Sequence, residues 1–305
     1  MINNFPISKL ARNKSNFLFH YYNFTSARDS FRFLLKKLKK EKIKILLPAY
    51  IGISEKEGSG IFDPIKETGI DYSFYSMSDF LTVDLNNIKS LINNRKKIAV
   101  LIVNYFGLNS PNKKEIISFL KSKKIQIIED NSHGIFSFYN TLERNFDYTF
   151  FSIHKMLPFK NGGVLVSKTK LNIAKKSKLE FLRYDIKQII DKRIKNYLFI
   201  HEQLKNINHK SVQVCKIPLY DSVPQTYPLL LDSEALRDNL YFKMNEKDFG
   251  IVSLYHKLIP EIDKSFKIEH MMSKKILNLP VHQDISQTQL KSMIKFLFLL
   301  INKFN

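Results

Sequence analysis

The sequence predicts an α/β fold in which helices cover both faces of a mostly parallel central sheet. Short segments such as 98–103 and 125–128 are apolar throughout and alternate with segments of helical periodicity. Strands without polar alternation are typical of parallel sheets, because the helices that connect such strands bury both faces. Polar residues cluster where several of these strands end, and in open α/β sheets ligands bind at that edge. The sequence therefore indicates a ligand-binding α/β domain.

Hydrophobic periodicity predicts each element of the first part of the chain. Apolar residues three and four positions apart predict helices at 26–40, 84–92 and 113–123. Continuous apolar runs of strand length predict strands at 43–47, 70–75, 98–103, 125–128, 148–151 and 164–166. The alternation of these strands and helices is what a parallel sheet requires.

The pattern changes after residue 168. A predicted helical stretch from 171 to about 204 is followed by a region in which prolines separate shorter elements. There the sequence predicts strands at 229–231 and 277–279, a helix at 234–247 and a final helix from residue 287. These elements indicate a smaller α+β domain. We therefore divide the chain into a large domain of residues 1–200 and a small C-terminal domain of residues 201–305.

The formal charge of +21 does not by itself indicate nucleic-acid binding. Only eight of the 49 basic residues are arginine, the residue on which nucleic-acid readers most depend. The densest basic run, at 36–40, alternates with apolar helix positions and fits a solvated helix face. The positive field would still attract an acidic small substrate, such as a nucleotide-linked sugar.

Several protein classes are disfavoured by what the sequence lacks. It shows no signal peptide, and its longest apolar run near either end, 296–301, is too short to span a bilayer. The single cysteine, Cys215, allows no internal disulfide and fits a buried residue in a reducing cytoplasm. The scattered histidines have no metal-ligand spacing, and hydrolase, P-loop and dinucleotide motifs are absent. We expect a cytoplasmic chain without a membrane segment, metal or nucleic-acid partner.

Lys155 is the first candidate for chemistry, because it follows a buried strand and precedes Gly162 and Gly163. A lysine near an apolar sheet end becomes reactive toward an aldehyde when burial lowers its pKa. An ordinary exposed lysine is the commoner interpretation of that position taken alone. Asp130 ends the strand at 125–128, where it fits either a partner of a protonated pyridine nitrogen or a simple cap. His133 fits either a ring-oxygen contact or a satisfied core histidine.

The segment 25–31 begins the first predicted helix and is the third candidate. Ser26 and Ala27 are small enough for backbone N–H groups to approach a phosphate, and the helix dipole favours an anion there. Arg28 could add a charge-assisted hydrogen bond. An ordinary helix cap is an equally good interpretation of this segment alone.

Taken together, these motifs resemble the DegT/DnrJ-type family of sugar aminotransferases, which use pyridoxal phosphate (PLP). The resemblance spans roughly residues 20–300 and rests on the motifs following one another in the same order as in the family. Its motifs lie at 26–28, 46–50, 103–107, 128–133, 151–155 with 161–163, 193–197 and 276–283. It implies an aspartate-aminotransferase-like fold of type I and a homodimer with sites at the subunit interface. The implied activity is ping-pong transfer of an amino group from glutamate to a keto sugar linked to a nucleotide.

The resemblance also assigns roles to residues. Lys155 corresponds to the Schiff-base lysine, Asp130 to the partner of the pyridine nitrogen, and His133 and Ser152 to groups that position the ring oxygen and phosphate. Further candidates for the phosphate and for the cofactor face are Ser26, Ala27, Arg28, Tyr50 and Asn104.

Three departures from the family pattern leave alternatives open. Gly52 stands where the family has an aromatic residue stacked on the PLP ring, and Ser152 precedes Lys155 by three residues rather than five. A Gly-x-Asn-x-Arg segment, which lends an asparagine to the neighbouring subunit, is missing between residues 168 and 193. The chain is also compact for the family. A non-catalytic or regulatory relative is one alternative. A PLP-dependent sugar dehydratase, with histidine in place of the lysine, is another, because His154 adjoins Lys155.

Overall fold

The structure is a computed structural model that describes residues 19–92, 97–140, 144–173, 183–205, 212–214, 219 and 221–304. The strands are β1 His20–Phe24, β2 Lys44–Pro48, β3 Tyr72–Tyr75, β4 Met77–Asp79, β5 Thr82–Val83, β6 Ile98–Val103, β7 Gln126–Asp130, β8 Tyr148–Ser152, β9 Gly163–Ser167, β10 Val212–Val214, β11 Thr226–Leu231 and β12 Ile276–Pro280. The helices are α1 Ala27–Lys40, α2 Phe62–Thr68, α3 Leu85–Ile92, α4 Lys113–Ser122, α5 Ile135–Asn140, α6 Ile186–Leu204, α7 Glu234–Asn245, α8 Lys267–Lys275 and α9 Gln287–Phe304, with a 3-10 turn at Tyr105–Gly107.

A seven-stranded sheet in the order β1-β9-β8-β7-β6-β2-β3 forms the centre of the molecule. Neighbouring strands from β8 to β3 run parallel, whereas β9 and β1 pair antiparallel at one edge. Every residue of β6, β8 and β9 is buried. Burial on both faces explains why these strands show no polar alternation. The predicted α/β fold with a mostly parallel sheet is confirmed.

Helix α1 covers the part of this sheet formed by β8 and β9. Ser26 caps its first turn, and Phe31 stacks on Phe150 of β8 at a centroid distance of 4.7 Å. Leu34, Leu35 and Leu38 are wholly buried on the same face. Burying each such side chain contributes about 1.5–3 kcal/mol of folding free energy. These apolar contacts therefore hold α1 against the sheet.

The C-terminal part contains a second, antiparallel sheet in the order β10-β11-β12. Helices α7 and α8 contact the strands of this sheet, and α9 packs against α7. The last strand of the large sheet ends at Ser167 and the first of the small sheet begins at Val212. Helix α6 lies between them in sequence and contacts both α5 and β11. The division at residue 200 stays a prediction. None of the described helices is both long and apolar enough to cross a membrane.

Several elements were not predicted from the sequence, namely α2, α5, α8, β4, β5 and β10. Two further differences have a physical explanation. The helix predicted from residue 171 begins only at Ile186, because Asp185 accepts the N–H of Gln188 at 3.0 Å and caps the helix there. Leu171 and Ile173 are not helical, and residues 174–182 lie outside the described part. Strand β1 was not predicted, since its HYYNF sequence lacks an aliphatic run. Cys215 also lies outside the described residues.

Candidate active site

Two strands of the large sheet and the first turn of helix α1 meet around one cavity of about 570 Å³. Strands β7 and β8 end there side by side, since Asp130 pairs with Phe150, and the first turn of α1 lies beside them. The cavity is lined by residues 26–28, 51–54, 56–61, 130, 132–133, 150, 152, 154–155 and 253–256. Five separate segments of the sequence therefore line the cavity, and the sheet register brings together those at 130–133 and 150–155.

Lys155 lies in the loop that follows β8 and borders this cavity. Its Nζ is 3.1 Å from Nε2 of His133. The residue as a whole is exposed, but protein atoms crowd around its Nζ. Burial lowers the pKa of Lys155 below the ordinary lysine value, although Asp130 acts in the opposite direction. A larger share of this amine is therefore neutral and nucleophilic than in an ordinary lysine.

Asp130 provides a buried carboxylate at the end of β7. It is only 4% exposed, and its Oδ1 accepts the N–H of Ser132 at 2.8 Å. Burial raises the pKa of Asp130 above the ordinary value, against the lowering effect of Ser132 and Lys155. A carboxylate in such a place is stabilised by a cation that reaches it, such as a protonated ring nitrogen.

His133 presents a neutral ring to the cavity. It is 5% exposed, and burial, reinforced by the charge of Lys155, holds the pKa of His133 well below its usual value. Its ring stacks toward Phe106 at 6.4 Å and meets Tyr255 edge-on at 6.0 Å. These rings fix its orientation, so that Nε2 stays directed at Lys155.

The first turn of α1 offers backbone donors to the same cavity. The Ser26 side chain accepts the N–H of Asp29 at 3.1 Å, and the first intrahelical bond runs from Ser30 N to Ser26 O at 3.1 Å. The N–H groups of Ala27 and Arg28 precede that bond, and such groups have no partner within a helix. A helix start with free donors and a positive dipole end is suited to an anion.

Gly163 allows this turn to lie against β9. A Cβ on Gly163 would stand 2.1 Å from the carbonyl carbon of Ser26 and 2.4 Å from the nitrogen of Ala27. Gly162 N also donates to Thr25 O at 2.9 Å. The position of the turn thus depends on the missing side chain at Gly163.

Arg28 and Ser152 line the cavity with side chains that are already engaged. Arg28 donates to the carbonyl of Glu57 and forms an ion pair with Asp63 at 3.6 Å. Ser152 is 1% exposed, and its Oγ lies 3.1 Å from Nδ1 of His154. Arg28 therefore joins α1 to the loop at 54–60 and closes one side of the cavity.

The structure places two of the predicted site residues elsewhere. Asn104 donates to Asn131 Oδ1 at 2.6 Å and lines a different cavity, together with Lys113 and Glu129. Tyr50 is wholly buried and stacks behind Tyr255 at 5.3 Å. Both residues follow predicted strand ends, but neither side chain lies among those that line the cavity at Lys155.

Two segments at the cavity were not recognised in the sequence. One is the loop from Ile53 to Ile61, which follows Gly52, and the other is the stretch from Ser253 to His256, which follows α7. Tyr255 is the aromatic residue of the second segment and has a backbone φ of 64°. Nothing in the local sequence marks it, because its place depends on a contact between distant parts of the chain. Among the described residues, no group of three His, Cys, Asp or Glu side chains could hold a metal.

The chain has the fold of type I PLP-dependent aminotransferases, which is the fold of the solved structures that it matches. NtdA of Bacillus subtilis, solved with bound cofactor PMP, matches with a TM-score of 0.72 and 17% identity over 92% of this chain and 73% of that one. PseC of Helicobacter pylori, an aminotransferase involved in the biosynthesis of pseudoaminic acid, matches with a TM-score of 0.70 and 16% identity over 93% and 87%.

A DegT DnrJ EryC1 StrS aminotransferase from Brucella abortus matches with a TM-score of 0.67 and 15% identity, over 93% of this chain and 86% of that one. No family model matches the sequence, and no curated protein matches it either. The likeness is therefore one of fold.

Proposed function

We propose that this chain is a PLP-dependent aminotransferase that transfers an amino group to a keto sugar. The observation that carries the proposal is the contact of Lys155 Nζ with His133 at 3.1 Å, in the cavity that Asp130 and the start of α1 also line. An amine, a buried carboxylate and a helix N-terminus are what an aldehyde, a pyridine nitrogen and a phosphate each require.

The residues present fit PLP at four separate points. The backbone N–H groups of Ala27 and Arg28 would hold the phosphate at the start of α1. This turn is positioned by β9, which lies so close that a Cβ on Gly163 would collide with Ser26 and Ala27. Asp130 would pair with the ring nitrogen, which would relieve the buried carboxylate whose pKa burial raises. His133 would contact the ring oxygen, and Lys155 would bind the aldehyde carbon. When bound, PLP supplies an electron sink for the bond that is broken at the amino-bearing carbon.

Lys155 has two tasks in this proposal. Its amine would hold the cofactor covalently at the aldehyde carbon, and the amino donor would release it. Once free, Nζ takes a proton from the donor carbon and delivers it to the cofactor side, as general base and then general acid. The lowered pKa of Lys155 suits both steps, because the neutral amine accepts the proton and the ammonium that forms then releases it more readily than an ordinary lysine would.

Asp130 and His133 would keep the ring in its reactive form. The Asp130 carboxylate holds a proton on the ring nitrogen, since the two charges stabilise each other inside the protein. His133 has a pKa well below the usual value and acts as a neutral hydrogen-bonding partner. The edge-on contact with Tyr255 at 6.0 Å keeps its ring from turning away.

The finer features of the proposal are supported by less direct observations. NtdA was solved with bound cofactor PMP, and PseC is an aminotransferase involved in the biosynthesis of pseudoaminic acid. The net charge of +21 favours an acidic acceptor such as a nucleotide-linked sugar. We further propose glutamate as the donor, a ping-pong order and a homodimer. A sugar dehydratase is the second candidate, because His154 also lines the cavity.

An absorption spectrum with and without added PLP tests the proposal. We expect a visible band in the wild-type chain that is absent in Lys155→Ala and unchanged in Lys160→Ala, which alters an exposed lysine of the same loop. Glutamate should bleach the band, and a keto sugar should restore it with an aminated product. A colourless wild-type chain that does not bind PLP would overturn the proposal, and a dehydrated product would favour the second candidate.

A further inference from the structure

Tyr255 reaches the cavity from the C-terminal part of the chain because its segment is held on both sides. Ile53 N donates to Lys257 O at 2.9 Å, and Ile259 N donates to Ile51 O at 3.0 Å. On the other side, Leu254 N donates to the Asn278 side chain of β12 at 3.0 Å. The segment is therefore fixed between the small sheet and the loop around Gly52.

Gly52 leaves room for the Tyr255 ring. A Cβ on Gly52 would lie 2.9 Å from Cδ1 of Tyr255 and 3.0 Å from its Cα. A side chain at residue 52 and the tyrosine at residue 255 thus exclude each other. The Tyr255 ring occupies the space into which a side chain at residue 52 would extend.

The backbone of Tyr255 is strained. Its φ is 64°, in the left-handed region that bulky residues rarely adopt. Such strain persists only where the surrounding structure determines it, and it concentrates at ligand sites. A glycine would adopt this conformation without strain. The strained backbone therefore indicates that the aromatic side chain has a role that a glycine could not fill.

Neighbouring aromatic rings hold the Tyr255 ring in one orientation. Tyr50 stacks on it at 5.3 Å with an interplanar angle of 29°. Tyr105 and Phe106 meet it edge-on at 5.2 and 5.7 Å. The ring itself lines the cavity together with Asp130, Ser132 and His133. A ring fixed in this way offers a preorganised surface to a flat aromatic ligand.

We propose that Tyr255 is the aromatic wall on which the pyridine ring of the cofactor stacks, supplied by the C-terminal part of the chain in place of a side chain at residue 52. This inference rests on the proposed function, since it needs PLP as the ligand. An electron-poor pyridinium held by Asp130 and an electron-rich phenol ring attract each other in offset stacking. The hydroxyl is not essential for that contact, whereas the aromatic face is.

PLP titrations followed by visible absorption test the inference on three variants. Tyr255→Leu should raise the Kd for PLP about tenfold and shift the visible band, because stacking is lost while the site stays filled. Tyr255→Phe should stay within about twofold of wild type. Tyr241→Leu, which removes a half-buried tyrosine of α7, should change nothing.

A reciprocal exchange gives a second and independent measurement. Tyr255→Gly alone should also raise the Kd for PLP about tenfold. Adding Gly52→Phe to that variant should restore PLP binding to within about threefold of wild type. Tyr255→Gly removes the contact at 2.9 Å with the ring, a small shift of the glycine backbone relieves the contact at 3.0 Å with the Cα of residue 255, and the aromatic face then comes from residue 52. Thermal unfolding of each variant without PLP shows that it is folded. A double variant that binds PLP no better than Tyr255→Gly would refute the inference.

The two proposals fail in different ways. A wild-type chain that binds no PLP would overturn the proposed function, and this inference with it. A wild-type chain that binds PLP through Lys155, beside a Tyr255→Leu variant of equal affinity and identical spectrum, would overturn only the inference.

Discussion

Replacing Gly163 by alanine should separate the first turn of α1 from β9. The new Cβ would lie 2.1 Å from the carbonyl carbon of Ser26, whereas an ordinary contact begins at 3.4 Å. The turn would have to retreat by about 1.3 Å, since the strand is buried on both faces and does not yield easily. Overpacking of this kind costs about 1–3 kcal/mol of folding free energy.

The same displacement should weaken PLP binding. A hydrogen bond to a charged group contributes about 1.5–3 kcal/mol, so loss of one backbone contact from Ala27 or Arg28 should raise the Kd for PLP at least ~10-fold. Urea unfolding without PLP and absorption titrations with PLP measure the two effects separately. Gly60→Ala is the matched control, because Gly60 lines the same cavity and has no heavy atom within 4 Å of its added Cβ.

The outcome that would refute this reasoning is specific. If Gly163→Ala unfolds at the wild-type urea concentration and binds PLP like Gly60→Ala, the turn does not depend on the close approach. The phosphate would then have to be held elsewhere in the cavity.

Three further predictions concern charge and packing. The rate of PLP capture should rise with pH and level off below pH 10.5, the ordinary pKa of a lysine, because burial lowers the pKa of Lys155. A rate that continues to rise up to pH 10.5 would contradict this prediction. Burial raises the pKa of Asp130 above 3.8, so its ionised form destabilises the PLP-free chain at neutral pH and this penalty disappears below 3.8. Asp130→Asn should therefore raise the free energy of urea unfolding at pH 7 but not at pH 3.5, while PLP binding weakens; equal effects at both pH values would exclude a charge effect. Phe31→Ala should cost about 3–5 kcal/mol in urea unfolding, since Phe31 is wholly buried, whereas Phe242→Ala, at a residue 62% exposed, should stay within about 0.5 kcal/mol.

The sequence predicts the large sheet well because its strands are apolar on both faces. The strand at 98–103 agrees with the structure at both ends, and α1 and α9 begin within one residue of the prediction. Helix α6 was predicted too long, because apolar periodicity continues upstream of the point where Asp185 caps the helix. Strand β1 was missed since its order comes from pairing with β9 rather than from its own composition.

The site was predicted where it depends on strand ends and missed where it depends on tertiary contacts. Lys155, Asp130 and His133 come together because β7 and β8 are neighbours in the sheet. Asn104 also follows a strand, but its side chain joins a buried network with Glu129 and Asn131 instead. Tyr255 could not be found from local pattern, because only the fold brings it against Gly52.

Backbone hydrogen bonds between residues 51–53 and 257–259 join two parts of the chain that are distant in sequence. The amide hydrogens of Ile53 and Ile259 are bonded across this junction, at 2.9 and 3.0 Å. They exchange with solvent when these bonds open, either as the C-terminal part separates from the large sheet or in global unfolding. Exchange faster than global unfolding would therefore measure the opening of the cavity wall. A ligand that spans the junction would slow both amides together, and by the same factor.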